Sequence, residues 1–292
     1  MTALSEYNPI VILVYFLAVA GLAMFIMNPV LLFVSFFGSL LVFYTLNRGK
    51  RDRSKGMFLL LFLLLALLNP IFHHNGTTVL FVVNDNPITT EALAYGFTSA
   101  TMVVSVIYWF RSFSTLMTGD KLLYVFGKIS PKFSLMLSMA LRYIPLFADK
   151  FRQIKAARRA LGLYKQDNLP DTLKSNLKAF VALGGWSLEN GIVTADSMEA
   201  RGYGSGRRTF FSRYVFKKRD LAALIVLLLL TSAVVAIKLS GSLNFVFYPE
   251  LNGELLNKRA LWAYACYMVL TLLPVIGEAA EREKWKSLRS KI

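Results

Sequence analysis

Residues 221–239 read LAALIVLLLLTSAVVAIKL, with Lys238 as the only charge. At about 1.5 Å of rise per helical residue, such a run crosses roughly 30 Å of hydrocarbon, so it reads as a membrane-spanning helix. Five more apolar stretches follow the same pattern, at 10–27, 29–46, 57–72, 91–110 and 260–276. With 55% apolar residues in a chain of 292, the composition is that of an integral membrane protein. The expected fold is all-α: a polytopic bundle of about six spans. Asn28-Pro29 separates the first two stretches, and a tight helical hairpin is favoured there over one kinked span. Positions 1–9 carry no Lys or Arg, so they lack the basic start of a secretory signal, and the first helix is expected to be retained. Cys266 is the single cysteine, so neither a disulfide framework nor a thiolate metal cluster can be built from this chain alone.

Charge placement sets the orientation. Of 33 basic residues, five lie in 48–56, twenty in 111–219 and five after 277; only Lys238, Lys258 and Arg259 remain for the other side. By the positive-inside rule the three basic regions are cytoplasmic, and both termini go with them. Positions 73–90 contain no Lys or Arg, as an external loop should. The net charge of +16 is thus mostly membrane topology, and nucleic-acid binding, which wants a basic patch on a soluble module, is discounted.

The stretch 111–219 is far too long for a simple connection and keeps helical periodicity. The expected domains are therefore membrane helices 1–4 at 1–110, a cytoplasmic domain of long amphipathic helices at 111–219, membrane helices 5 and 6 at 220–277, and a basic tail at 278–292. Within the cytoplasmic domain, 119–128 reads as a short helix stopped by Ser130-Pro131. A second helix runs from about 131 to 161. Phe133, Met136, Ala140, Ile144, Phe147, Phe151, Ile154, Ala157 and Leu161 mark its apolar face, and Lys150, Arg152, Lys155, Arg158 and Arg159 its basic face. Gly162 is placed as its C-cap. A third helix or helix pair follows at 170–185 and a fourth at 186–201, stopped by Gly202. Two helices thus end in Arg-bearing turns followed by Gly. The ordinary reading of such ends is capping, since Lys and Arg complement the helix dipole by about 0.3–1 kcal/mol each, and a basic amphipathic helix beside a membrane also suits anionic lipid.

Three segments together carry more than that: LRYIP at 141–145, RRALG at 158–162 and ADSMEARGYG at 195–204. On these the chain resembles the transmembrane T component of energy-coupling factor transporters, the family that includes the cobalt and nickel permease subunits. The resemblance implies that each of two coupling helices ends in an Ala-Arg-Gly-like signature docking into a groove of an ATPase subunit. It assigns Met198, Glu199, Ala200, Arg201 and Gly202 to one dock and Arg158, Arg159, Ala160, Leu161 and Gly162 to the other. The first signature departs from the family: Leu161 stands where Arg usually precedes the Gly, and the contact is assigned to Arg159. The partners implied are two ATP-binding-cassette ATPases, a membrane-embedded substrate-binding S component and the lipid bilayer of a prokaryotic cell. The activity implied is vitamin or transition-metal uptake, with ATP and Mg held by the ATPases and no cofactor in this chain.

The chemistry suits the role. A guanidinium is permanently charged and its planar fork holds a carboxylate bidentately. Gly202 allows close backbone approach, and Met198 and Leu161 would fill the groove and exclude water. Catalytic residues are not expected: the chain has no Gly-x-x-x-x-Gly-Lys-Ser/Thr phosphate loop. His73-His74 has no carboxylate or Cys at ligand spacing and is expected to cap or sit at the interface rather than bind metal. Asn75-Gly76-Thr77 matches a glycosylation sequon only as a bare triplet, and Asp85 and Glu91 read as solvated loop charges. The spans are almost free of ionisable residues, which argues against a proton relay. Gly21, Ala18, Ala20, Gly96, Ser99 and Ala100 supply small positions for close helix packing. The alternatives are the permease subunit of an ordinary ATP-binding-cassette importer and a membrane-embedded enzyme acting on lipid-linked substrates.

Overall fold

Each apolar stretch forms a helix in the computed structural model, which describes residues 6–47, 55–72, 76–83, 86–164, 168–203, 206, 214–253 and 255–289. In order these are α1 (Pro9–Phe25), α2 (Pro29–Leu46), α3 (Lys55–Phe72), strands β1 (Val79–Val83) and β2 (Asn86–Thr89), α4 (Thr90–Leu116), α5 (Gly119–Ile129), α6 (Pro131–Ala160), α7 (Leu169–Ala200), α8 (Lys218–Leu239) and α9 (Lys258–Arg289). Four of them, α2, α4, α8 and 258–279 of α9, are long and apolar enough to cross a membrane, and α1 and the apolar part of α3 are shorter helices of the same character. The chain forms two compact units, one of 1–122 with 214–292 and the other of 123–213.

Local rules set the ends of the first unit's helices. Asn8 and Asn28 cap α1 and α2 with their side-chain oxygens, each followed by Pro at the first helical position, where its missing N–H costs nothing. Residues 26–28 separate the two helices, so the Asn28-Pro29 junction is a true break. Thr89 caps α4. At the start of α8, both carboxylate oxygens of Asp220 are used: they accept from the N–H of Lys217 at 3.0 Å and of Asn8 at 3.4 Å. That buried contact ties the beginnings of α1 and α8 together.

Pairwise contacts give the helix directions. Asn8 meets Asp220, and Lys238 Nζ donates to the Phe25 carbonyl at 2.8 Å, so α1 and α8 run alike. Phe33 packs on Phe97 and Phe43 on Tyr108, so α2 and α4 run alike. Tyr264 lies at Asn28 and Thr271 at Gly38, which adds α9 to that pair. In the reverse sense, Phe58 of α3 meets Tyr108 and Phe62 meets Phe97. Three helices therefore run each way. The starts of α1, α3 and α8, the end of α4 and the later part of α9 share one face of the unit, where Arg111, Lys217, Lys218 and Arg219 lie. The core between them is aromatic and aliphatic, centred on Trp109, Phe16, Val19, Leu31, Tyr267 and Leu270. Two of its polar groups are bonded across helices: Trp109 Nε1 donates to Ser35 Oγ at 3.1 Å and the Tyr267 hydroxyl to the Val19 carbonyl at 3.2 Å.

Close approach selects small residues at two crossings. A Cβ added at Gly96 would stand 2.6 Å from the Ala66 carbonyl oxygen and 3.1 Å from Asn69 Cβ, and one at Gly38 would stand 2.7 Å from Thr271 Cβ. Gly96 and Ala100 behave as the sequence suggests, while Gly21 has nothing within 4 Å of an added Cβ. Gly96→Leu is expected to destabilise the detergent-solubilised protein by about 1–3 kcal/mol or more through overpacking against backbone, and Gly21→Leu to be tolerated. Paired thermal melts read the difference.

Three expectations change. Leu169–Ala200 form one unbroken helix, α7, rather than two or three pieces. Gly184 and Gly185 each weaken a helix by about 1 kcal/mol, but they leave the hydrogen-bond ladder intact, and burial of Ser175, Ala179 and Leu183 on the same helix outweighs them. The 278–292 tail continues α9 as helix to Arg289. Glu91 is not a solvated loop charge: it is 3% exposed and accepts from the Thr78 N–H at 3.3 Å and the Thr78 hydroxyl at 2.7 Å, closing the β1–β2 hairpin onto α4. His73, His74, Asn75 and Asp85 lie outside the described residues.

Candidate functional site

The second unit is built on α6 and α7. Ser130 caps α6 through its hydroxyl, which accepts from Phe133 N, and Pro131 opens the helix. Pro145 lies inside it, leaving the Leu141 carbonyl without its usual partner. The two helices are antiparallel. The Tyr143 hydroxyl meets Thr194 Oγ1 at 3.1 Å, Phe147 packs edge-on against Trp186, and the Tyr164 hydroxyl, just past α6, donates to Asn176 Oδ1. None of these aromatic anchors was singled out in the sequence for pairing the helices, although Tyr143 and Phe147 have the i, i+4 spacing that stacks them.

The expected division of α6 into an apolar and a basic face holds only in part: Phe147 of the apolar stripe packs against α7, and Phe151 and Ile154 are half-buried. Ile144 and Met136 of the apolar stripe are 64% and 61% exposed, whereas Lys150 from the basic set covers the Trp186 ring at 5.2 Å. Tyr143, Phe147 and Lys150 face α7 instead. On α7, Leu173, Leu177, Phe180, Val181, Leu188 and Ile192 are all exposed. So much apolar surface on a helix pair marks a contact surface rather than a finished exterior.

Both helices end in the same cap. At the end of α6, the Gly162 N–H donates to the Arg159 carbonyl at 3.0 Å and the Leu163 N–H to the Arg158 carbonyl at 2.9 Å, with Gly162 at φ +67°. At the end of α7, the Gly202 N–H donates to Glu199 at 2.8 Å and the Tyr203 N–H to Met198 at 3.0 Å, with Gly202 at φ +74°. These are two Schellman motifs, in which the left-handed residue after the cap is nearly always Gly. Superposing their bonding patterns puts Leu161 where Arg201 stands: each is the C-cap residue, and each is exposed.

The cations differ more than the backbones. The Arg201 guanidinium has no partner among the described residues. Arg159 lies over the Tyr164 ring at 4.9 Å, a ring Lys155 also covers at 5.2 Å. Arg158 is half-buried, its Nε without a hydrogen-bond partner among the described residues. Ala160, Glu199 and Ala200 are exposed beside the caps and Met198 is half-buried. One end therefore offers an exposed arginine, and the other an exposed leucine backed by Arg159 over the Tyr164 ring and a half-buried Arg158.

Because the helices are antiparallel, the caps lie toward opposite ends of the pair. The 25 residues from Asn176, beside the first cap, to Arg201 rise about 38 Å. A single groove cannot receive both; the geometry suits two receptors.

Comparison with known proteins places these features among relatives. The family model described as cobalt transport protein, CbiQ, matches residues 2–210. The energy-coupling factor transporter transmembrane protein EcfT 1 of Listeria monocytogenes is 37% identical over 109 residues, covering 37% of this chain and 41% of that protein. The corresponding EcfT proteins of Bacillus selenitireducens and Streptococcus thermophilus are each 29% identical. The first aligns over 202 residues, 64% of this chain and 75% of the relative, and the second over 184 residues, 58% and 68%.

Proposed function

Because this chain belongs to the CbiQ cobalt transport protein family, we propose that it works as the transmembrane coupling component of an energy-coupling factor importer, docking two ATP-binding-cassette subunits at the ends of α6 and α7. The observation that carries the reading is the pair of matching caps, roughly 38 Å apart along the helices, each presenting an exposed cap residue and a positive-φ glycine. ATP and Mg belong to the ATPases. Closure of the ATPases on nucleotide moves the two helices through their caps, and the helix pair passes that motion to a membrane-embedded S component that holds the vitamin or metal ion. The exposed apolar residues of α7 are the surface offered to that component. Orientation follows the charges: the face carrying Arg111, Lys217, Lys218 and Arg219 is cytoplasmic, as are both termini.

The reading asks different chemistry of the two docks. Arg201 wants a carboxylate in its groove, while Leu161, 72% exposed, wants an apolar one. Burying a leucine contributes about 1.5–3 kcal/mol. Leu161→Ala is therefore expected to weaken ATPase retention about tenfold or more at that end, and Leu161→Glu to abolish it there. Each is read by titrating purified ATPase subunits onto the immobilised chain.

The test of the whole reading is co-purification of the tagged chain from cells expressing its neighbouring ATPase and small membrane-protein genes. Recovery of an ATPase pair together with a substrate-loaded membrane protein, with transport in proteoliposomes that stops when ATP hydrolysis is blocked, is the expected result. A chain that transports without any separate substrate-binding membrane protein would instead be an ordinary permease subunit.

A further inference from the structure

Between α1, α8 and α9 lies a cavity of about 320 Å³, at the lower end of the volumes that hold small ligands. Its walls are apolar: Ile12 and Tyr15 from α1, Ala223 and Val226 from α8, and Pro274 and Gly277 from α9. The gap exists because α8 presents Ala222 and Ala223 where larger residues would close it, and Gly277 has nothing within 4 Å of an added Cβ. Tyr15 brings a buried hydroxyl with no hydrogen-bond partner among the described residues, an uncommon state in apolar surroundings.

One end of the cavity is cationic. Arg219 lines it beside Tyr7, whose ring it covers at 4.4 Å, and Lys217 and Lys218 precede it, exposed. Of the acids nearby, Asp220 is bonded to two backbone N–H groups, Glu278 is buried, and Glu6 lies 3.9 Å from Arg219 in an exposed pair. This end lies on the basic face of the unit, at the start of the apolar helix α8. An apolar slot inside a membrane helix bundle, open beside an Arg that keeps 41% of its side-chain exposure, has the polarity of a phospholipid: chain within, phosphate at the mouth.

We propose that this cavity holds an acyl chain of an anionic phospholipid whose phosphate rests on Arg219, making a specific lipid a wedge between α8 and the α1–α9 pair. The proposal is independent of the docking reading, since none of its residues belongs to the α6 or α7 caps.

The test uses the full chain, exchanged into detergent with equal amounts of phosphatidylglycerol and phosphatidylcholine and examined by native mass spectrometry. Wild type is expected to retain phosphatidylglycerol at least about fivefold over phosphatidylcholine. Arg219→Gln should bring that ratio near one, and Ala223→Trp, which fills the slot, should remove both lipids. Inorganic phosphate in millimolar excess should displace neither. Equal retention of the two lipids by wild type overturns the proposal without recourse to any variant, and displacement by free phosphate reduces the site to an anion contact without a chain. A photoreactive benzoylphenylalanine at Val226 separates the remaining occupant: lipid adducts support the proposal, and adducts confined to another membrane protein overturn it in favour of a helix in the groove.

Discussion

Arg201→Glu is expected to leave this protein folded and inserted but stripped of the ATPase at the α7 end. In the free chain the guanidinium is exposed and has no partner among the described residues, so replacing it should shift stability within about 0.5 kcal/mol. The cap itself is made by backbone bonds from Gly202 and Tyr203 and does not need the side chain. In the proposed complex the position differs: the residue would sit at the tip of a helix end entering the ATPase groove. Reversing a charge against a desolvated carboxylate costs about 2–5 kcal/mol, roughly 30-fold to several thousand-fold in affinity. Arg201→Lys keeps the charge but loses the planar fork, so it should fall between. Co-purified ATPase, normalised to the tagged chain, together with nucleotide hydrolysis on the retained complex, gives the reading. Undiminished retention by the Glu variant would mean that Arg201 only complements the helix dipole and that docking lies elsewhere.

The second large effect concerns the unit of apolar helices. Asn28→Ala is expected to destabilise the membrane unit by about 2–4 kcal/mol, more than an ordinary cap is worth. Asn28 is 2% exposed and uses both ends of its amide. Its oxygen accepts from the Val30 and Leu31 N–H groups at 3.1 and 3.4 Å and from the Tyr264 hydroxyl at 3.0 Å, while its nitrogen donates to the Leu243 carbonyl at 3.4 Å. Alanine would remove the α2 cap and leave a buried phenol and a buried carbonyl unpaired. Asn28→Asp keeps the acceptors but not the donor, so it should recover the cap and lose the tie to Leu243. Thermal unfolding in a fixed detergent orders the three chains wild type, Asp, Ala. Equal melting of Ala and wild type would show that the junction of α1, α2 and α9 is held by packing alone.

Much of this molecule is legible along the chain because the bilayer simplifies the problem. A backbone in hydrocarbon must satisfy its own hydrogen bonds, so each apolar run of sufficient length has one solution, and six runs read directly as six helices. Basic residues concentrate in three stretches of the chain separated by stretches poor in Lys and Arg, and that alternation is the basis for expecting both chain ends on one face. The two caps are legible for a local reason as well: a Gly after the last helical residue answers a demand for positive φ that spans only a few positions.

What the helices do to one another was not legible. The sequence alone made this an all-α membrane protein, with long helices ending in Arg201-Gly202 and Leu161-Gly162, because hydropathy, charge and capping are properties of short segments. Only the tertiary structure decided that 169–200 is one rod, that Lys150 turns to Trp186, that Glu91 is buried beneath a hairpin, and that Leu161 and Arg201 are equivalent cap residues at opposite ends of an antiparallel pair. Each of these depends on a contact between residues distant in sequence. The reward for such a contact, a buried ring, a filled crossing at Gly96 or a satisfied carboxylate, arises only once the partner element is in place.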